Sequence, residues 1–196
     1  MTLRINTDPY PTESDIVQYL TDFGEYWRVN QDSIQRDFAL LLSGQSIGSN
    51  SFSGVAWVNS YCENGFTQNG GTVTIGSYSV NRIGGNFPAA SVAIFVGHEI
   101  GHNLGSPHTH CYNTPLDECF NTESGCYAGV PASPAGGSGT IMSYCHFSGA
   151  NAAYCGSSDE DFHPTVISRF NSRITANFPS CIQSFGSDII FVDGFE

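Results

Sequence analysis

Residues 98–108 read His-Glu-Ile-Gly-His-Asn-Leu-Gly-Ser-Pro-His, and their types and spacing are those of a metal-activated hydrolytic centre. On a helix, His98 and His102 are four apart, so both imidazoles lie on one face and can reach one ion. Glu99 is offset by one position, close enough to hold a metal-bound water without being a ligand. Gly105 lets the backbone leave the helix in a left-handed conformation, and His108 comes back as a third nitrogen ligand. Three neutral nitrogens leave Zn²⁺ its full charge and an open position for water, whose proton Glu99 can take as that water attacks a carbonyl. At this composition a chance HExxHxxGxxH match has a probability on the order of 10⁻⁵. His110 and His146 are read as ordinary loop histidines and are not assigned to the metal.

The elements around this segment follow from periodicity. Pro88 to Leu104 is read as a helix, with Pro88 in its first turn and Gly105 as its stop. Thr12 or Ser14 can cap an earlier helix whose apolar positions are Ile16, Val17, Leu20, Phe23 and Trp27. The run from Phe38 to Leu42 is read as a buried strand, residues 54–61 (GVAWVNSY) as a second and 72–80 (TVTIGSYSV) as a third. A last helix is expected over 164–177, with Val166, Ile167, Phe170 and Ile174 on one face. Between Gly105 and Pro164 the chain is irregular, and loops of that length are uncommon unless functional or stapled.

Composition supplies the staples and narrows the class. Seven cysteines without a CxxC pair speak for disulfides in an oxidising compartment and against a cysteine zinc site. A net charge of −12 from 18 acidic residues, six Arg and no Lys repels phosphate backbones and anionic lipids, so neither nucleic acid nor membrane is an expected partner. Solubility explains that acidity more simply than calcium binding does, although structural Ca²⁺ stays possible. With 196 residues the chain is long enough for one domain with a real core. Residues 1–182 are read as that domain and 183–196 as a tail.

The third histidine and bridging glycine resemble the extended zinc motif of the metzincins, and Gly139-Thr140-Ile141-Met142-Ser143-Tyr144 resembles their methionine turn. Within that clan, GHNLG between the ligands is similar to the reprolysin or adamalysin group, particularly its bacterial secreted members. The likeness runs from about residue 3 to 182 and includes LRINTDPY, RDFALLLSG, GVAWVNSYC and the final FPSC.

The resemblance implies an α/β (α+β) metzincin-type domain with a twisted, mostly parallel sheet and one antiparallel edge strand. It further implies a zinc-binding helix and an irregular, disulfide-stapled C-terminal subdomain ending in a helix. The function implied is that of a secreted zinc endopeptidase cutting extended polypeptide, with a hydrophobic residue on the leaving side; a monomer is the separate expectation for its assembly. Met142 would form an apolar floor under the imidazoles, with Gly105 as further support. Gly54, Val55, Ala56 and Trp57 would pair with peptide substrate if their strand is the sheet edge, although an interior strand is also compatible with their character. Cys62 would pair with Cys181. Cys119–Cys126 and Cys111–Cys145 are the remaining expected bridges, with Cys155 left over.

Thr109 stands where many reprolysins carry Asp. Tyr144 stands where that group commonly has Pro and where astacins and serralysins have a tyrosine that donates to the oxyanion. Tyr144 is therefore read either as such a donor or as a pocket wall. The first strand and helix of the family domain have no counterpart before LRINTDPY, so an N-terminally incomplete domain is expected. Two other functions remain open: a zinc-binding module that does not hydrolyse, and an amidase acting on cell-wall amides.

Overall fold

A computed structural model describes residues 9–10, 13–34, 36–44, 53–71, 73–83, 88–147, 149–153 and 160–181. Cys155, the tail after Cys181, Thr12 and most of LRINTDPY lie outside them. Helix α1 spans Ile16–Asn30. Its cap is Asp15, rather than Thr12 or Ser14, because the Asp15 carboxylate accepts from the backbone N–H of Val17 at 2.7 Å and of Gln18 at 3.2 Å. An anion at that end also opposes the positive pole of the helix. The buried stripe is Tyr19, Leu20, Phe23 and Gly24, while Val17 is exposed. The helix is thus rotated about one position from the expected seam, since Tyr19 buries its ring and sends its hydroxyl to within 3.3 Å of the Ser43 hydroxyl.

Among the described residues three strands form the sheet beneath α1, in the order β1-β5-β2. Strand β1 (Ala39–Ser43) runs parallel to β5 (Tyr78–Arg82), and β2 (Ser53–Ala56) runs antiparallel to β5. The expected antiparallel edge strand is therefore present, but of the two described pairings only one is parallel. Central β5 is buried at all five positions. The apolar run of β1 is not buried throughout, as Leu42 is about half exposed.

Residues 72–80 are not one strand. Val73–Ile75 (β4) pairs with Phe66–Gln68 (β3) in a separate hairpin, and β5 begins only at Tyr78. The break falls at Gly76-Ser77. A Cβ on Gly76 would lie 2.9 Å from Tyr78 Cδ2, so glycine lets the chain fold across the Tyr78 ring. Likewise β2 stops at Ala56, and Trp57 to Tyr61 leave the sheet for the end of helix α2 (Ala89–Asn103).

The core has two centres. Tyr19, Leu20, Phe23, Ala39, Tyr78 and Val80 pack between α1 and the sheet. Ile141, Met142, Val166 and Phe170 form the other, with Ile94 and Leu104 of the α2 segment and Phe162 packed against it. Helix α3 (Pro164–Ala176) supplies only Val166 and Phe170 to that centre. Ile167 and Ile174 are exposed, so the expected four-residue face is half the expected width.

From Gly105 to Pro164 the described chain has no α-helix and no extended strand, only a 3-10 turn at Thr109–Cys111 and isolated bridges. Among the described residues three disulfides hold the domain: Cys62–Cys181, Cys111–Cys126 and Cys119–Cys145. The last two replace the expected Cys111–Cys145 and Cys119–Cys126. Tyr127 N–H donates to the His110 carbonyl at 3.0 Å, which sets Cys126 beside Cys111. Cys119 and Cys145 are both fully buried and meet where the methionine turn folds back under the loop.

Candidate active site

Helix α2 delivers His98, Glu99 and His102, all buried. Beyond its last residue, Asn103, the chain turns away at Gly105, whose φ of +96° closes the turn while its N–H donates to the His102 carbonyl at 2.8 Å. A Cβ there would fall 2.8 Å from the Asn59 side-chain oxygen, so both conformation and space call for glycine. The segment after β2 caps the same helix end. Asn59 N–H donates to His102 O at 2.8 Å and Tyr61 N–H to Asn103 O at 3.0 Å, satisfying carbonyls that the helix leaves open. Buried Asn103 reaches back with its Nδ2 to the Trp57 carbonyl (2.9 Å) and the Tyr78 carbonyl (3.1 Å). Helix and sheet edge are thereby held in one register.

His108 returns to the two helix histidines, and one ring nitrogen of each lies within 4.8 Å of the others. The hydrogen bonds on the far side of each ring decide what these nitrogens offer. His98 Nδ1 is 2.7 Å from the Ile141 carbonyl, and His102 Nδ1 is 2.8 Å from the Ser106 carbonyl. A carbonyl only accepts, so each Nδ1 carries the hydrogen and each Nε2 presents a lone pair. His108 Nδ1 is 2.7 Å from Glu123 Oε2, with the same consequence.

Burial, reinforced by His102, pushes His98 down to about 3. Burial also pushes His102 and His108 down to about 4, aided by His108 and His98 respectively. All three rings are therefore neutral near pH 7. The Nε2 atoms of His102 and His108 then face each other at 3.2 Å as two acceptors, an arrangement that repels unless a cation lies between them. This donor set fits zinc.

Glu99 sits beside them with its carboxylate against Gly54 of β2, and its Oε2 has no hydrogen-bond partner among the described residues. Burial raises its pKa to about 8. Met142 is fully buried beneath α2, and a Cβ on Gly101 would lie 2.5 Å from its sulfur. Its turn is tied to the third histidine through Thr109, whose N–H (3.0 Å) and hydroxyl (3.3 Å) both donate to the Met142 carbonyl. Thr109, which departs from the aspartate of many reprolysins, thus bonds the turn directly. Tyr144 lays its ring on His108, with centroids 4.1 Å apart, and parallel to His98 at 6.0 Å. Burial raises its phenol well above the usual range, so the group is a neutral O–H donor.

Gly54, Val55 and Ala56 lie on β2, whose only partner among the described residues is β5, while Trp57 has already left the strand. Two residues outside the linear motif complete the cluster. Glu123 Oε2 receives both His108 Nδ1 and His110 Nε2, the latter at 3.0 Å. His110, read from sequence as an ordinary loop residue, is fully buried. Nothing in the spacing of these residues marks them, except that Cys111 and Cys126 bracket Glu123.

A mixed α/β frame with a histidine cluster of this kind is that of a metzincin-like metalloprotein. Residues 2–154 match Metallo-peptidase family M12. The chain belongs to that family, and it is a metallopeptidase by descent.

Proposed function

We propose that this protein is a secreted zinc endopeptidase in which His98, His102 and His108 hold the metal through Nε2 and Glu99 is the general base. The observation that carries the reading is the convergence of three lone pairs, each enforced by a hydrogen bond on the opposite ring nitrogen. Zinc, when bound, supplies a Lewis acid that polarises a carbonyl and acidifies water.

The chain's own groups do the rest. The outer edge of β2, unpaired among the described residues, offers alternate N–H and C=O groups along Gly54 to Ala56 to an extended peptide, which adds as a further strand. Glu99 packs against Gly54, so a peptide added at that edge lies one strand spacing from the residue the carboxylate touches. Glu99 takes a proton from the attacking water and passes it to the leaving amine. Burial by itself raises the Glu99 pKa to about 8; the nearby dication, when bound, opposes that shift and favours the carboxylate form that accepts the proton. The Tyr144 hydroxyl donates to the developing oxyanion from beside His108. Secretion is supported by the three disulfides, and among the described residues no helix is long and apolar enough to cross a membrane.

The test is metal analysis combined with cleavage of casein and a quenched peptide. Stoichiometric zinc and chelator-sensitive cleavage that Glu99→Ala abolishes are expected. Zinc without Glu99-dependent cleavage would leave a binding module instead.

A further inference from the structure

Two of the three converging histidines are oriented by backbone carbonyls, Ile141 for His98 and Ser106 for His102. The third is oriented by a carboxylate. Glu123 Oε2 lies 2.7 Å from His108 Nδ1 and 3.0 Å from His110 Nε2, so one oxygen receives two imidazole N–H groups. A surface ion pair of no consequence would look different. His110 is fully buried, and its ring stacks on His108 at 5.4 Å with planes 5° apart. Its Nδ1 has no partner among the described residues, and its contact with Glu123 is the polar interaction that sets its orientation.

The loop bearing Glu123 is closed by Cys111–Cys126, and Cys126 N–H donates to the Glu123 carbonyl at 3.2 Å. Backbone and side chain of Glu123 are therefore both held, although its carboxylate is 37% exposed.

Resting on the zinc reading above, we propose that Glu123, itself fixed by His110 and the Cys111–Cys126 loop, is a positioning residue for His108 as a metal ligand. A carboxylate on Nδ1 does two things that a carbonyl does less well. It fixes the tautomer and ring plane, and it increases electron donation from Nε2 to a cation. It also places a negative charge one imidazole away from the ion, which stabilises the bound dication. His108 needs this more than its partners do. His98 and His102 are built into one rigid helix, whereas His108 comes from an irregular segment.

The experiment measures zinc affinity by competition with a chromogenic chelator for wild type, Glu123→Ala, Glu123→Gln and His110→Gln, with circular dichroism confirming that each is folded. Glu123→Ala is expected to weaken zinc binding about 10- to 100-fold, the range seen when such outer partners are removed. Glu123→Gln keeps an acceptor oxygen but loses the charge, so it is expected to fall between. Because its side chain has the same shape and is partly exposed, it also serves if the alanine variant fails to fold. At saturating zinc, kcat is expected to fall with KM little changed, since the side-chain contacts of Glu123 are with His108 and His110 and not with β2. Zinc affinity within twofold of wild type in both folded Glu123 variants would overturn the proposal. A wild-type protein that binds no zinc would instead refute the underlying site.

Discussion

Gly54→Ala is the sharpest test of how sheet edge and base are joined. Residue 54 lies in β2 with ordinary extended backbone, so alanine costs nothing there through conformation. The cost is contact. The new methyl would lie 2.7 Å from Glu99 Cδ and 2.8 Å from Cγ, and closer still to Oε1, whereas ordinary contact begins at 3.4 Å. The carboxylate must therefore retreat by about 0.7 Å or more, and a misplacement of that order costs roughly 10²-fold in turnover. Stability should fall by only about 1–3 kcal/mol, the usual range for overpacking. Zinc content should be unchanged, because the three nearest atoms all belong to Glu99 and none to a histidine. The assay is kcat on a quenched peptide, metal content on the same sample, and Gly44→Ala as control, where a Cβ meets nothing within 4 Å among the described residues. A Gly54→Ala enzyme with kcat within threefold of wild type would refute the claim that Glu99 is held against the sheet edge.

Tyr144→Phe should lower kcat by about 10²-fold with zinc retained; unchanged turnover would reduce Tyr144 to a wall of the pocket. Met142→Ala should destabilise the fold by about 2–5 kcal/mol in urea, because the side chain is fully buried and packed under Gly101. The metal-free protein should have its highest Tm near pH 6.5. His98 at about 3 and His102 and His108 at about 4 lie below their ordinary 6.5, so their contribution is full above 6.5 and lost as pH falls. Glu99 at about 8 lies above its ordinary 4.5, so its contribution is present below 4.5 and lost as pH rises through 8. Melts of chelated protein from pH 4 to 8.5 check this, and a Tm that stays flat below pH 6.5 would contradict it.

Local pattern was sufficient for the elements that carry the chemistry. An i, i+4 pair of histidines needs only helical geometry to share a face, and a glycine seven residues after the first was enough to predict the turn that brings His108 back. The three helices appear close to where apolar spacing and stop signals place them. Helix faces were less legible. Val17, Ile167 and Ile174 fit the apolar period but face solvent, because which side of a helix is buried depends on what it packs against.

The linear sequence therefore determined the existence of a histidine cluster, the glycine turn and the methionine turn, because each depends on neighbours a few residues away. Tertiary structure alone decided the partners of those groups. It split residues 72–80 at Gly76 because the Tyr78 ring lies across the chain. It paired Cys111 with Cys126 and Cys119 with Cys145 because backbone contacts from His110 to Tyr127 and from Thr109 to Met142 fold the long loop back on itself. That same folding put Glu123 on His108 and buried His110 beside it. A hydrogen bond between residues 15 apart in an irregular segment has no period to announce it, so only the folded loop reveals it.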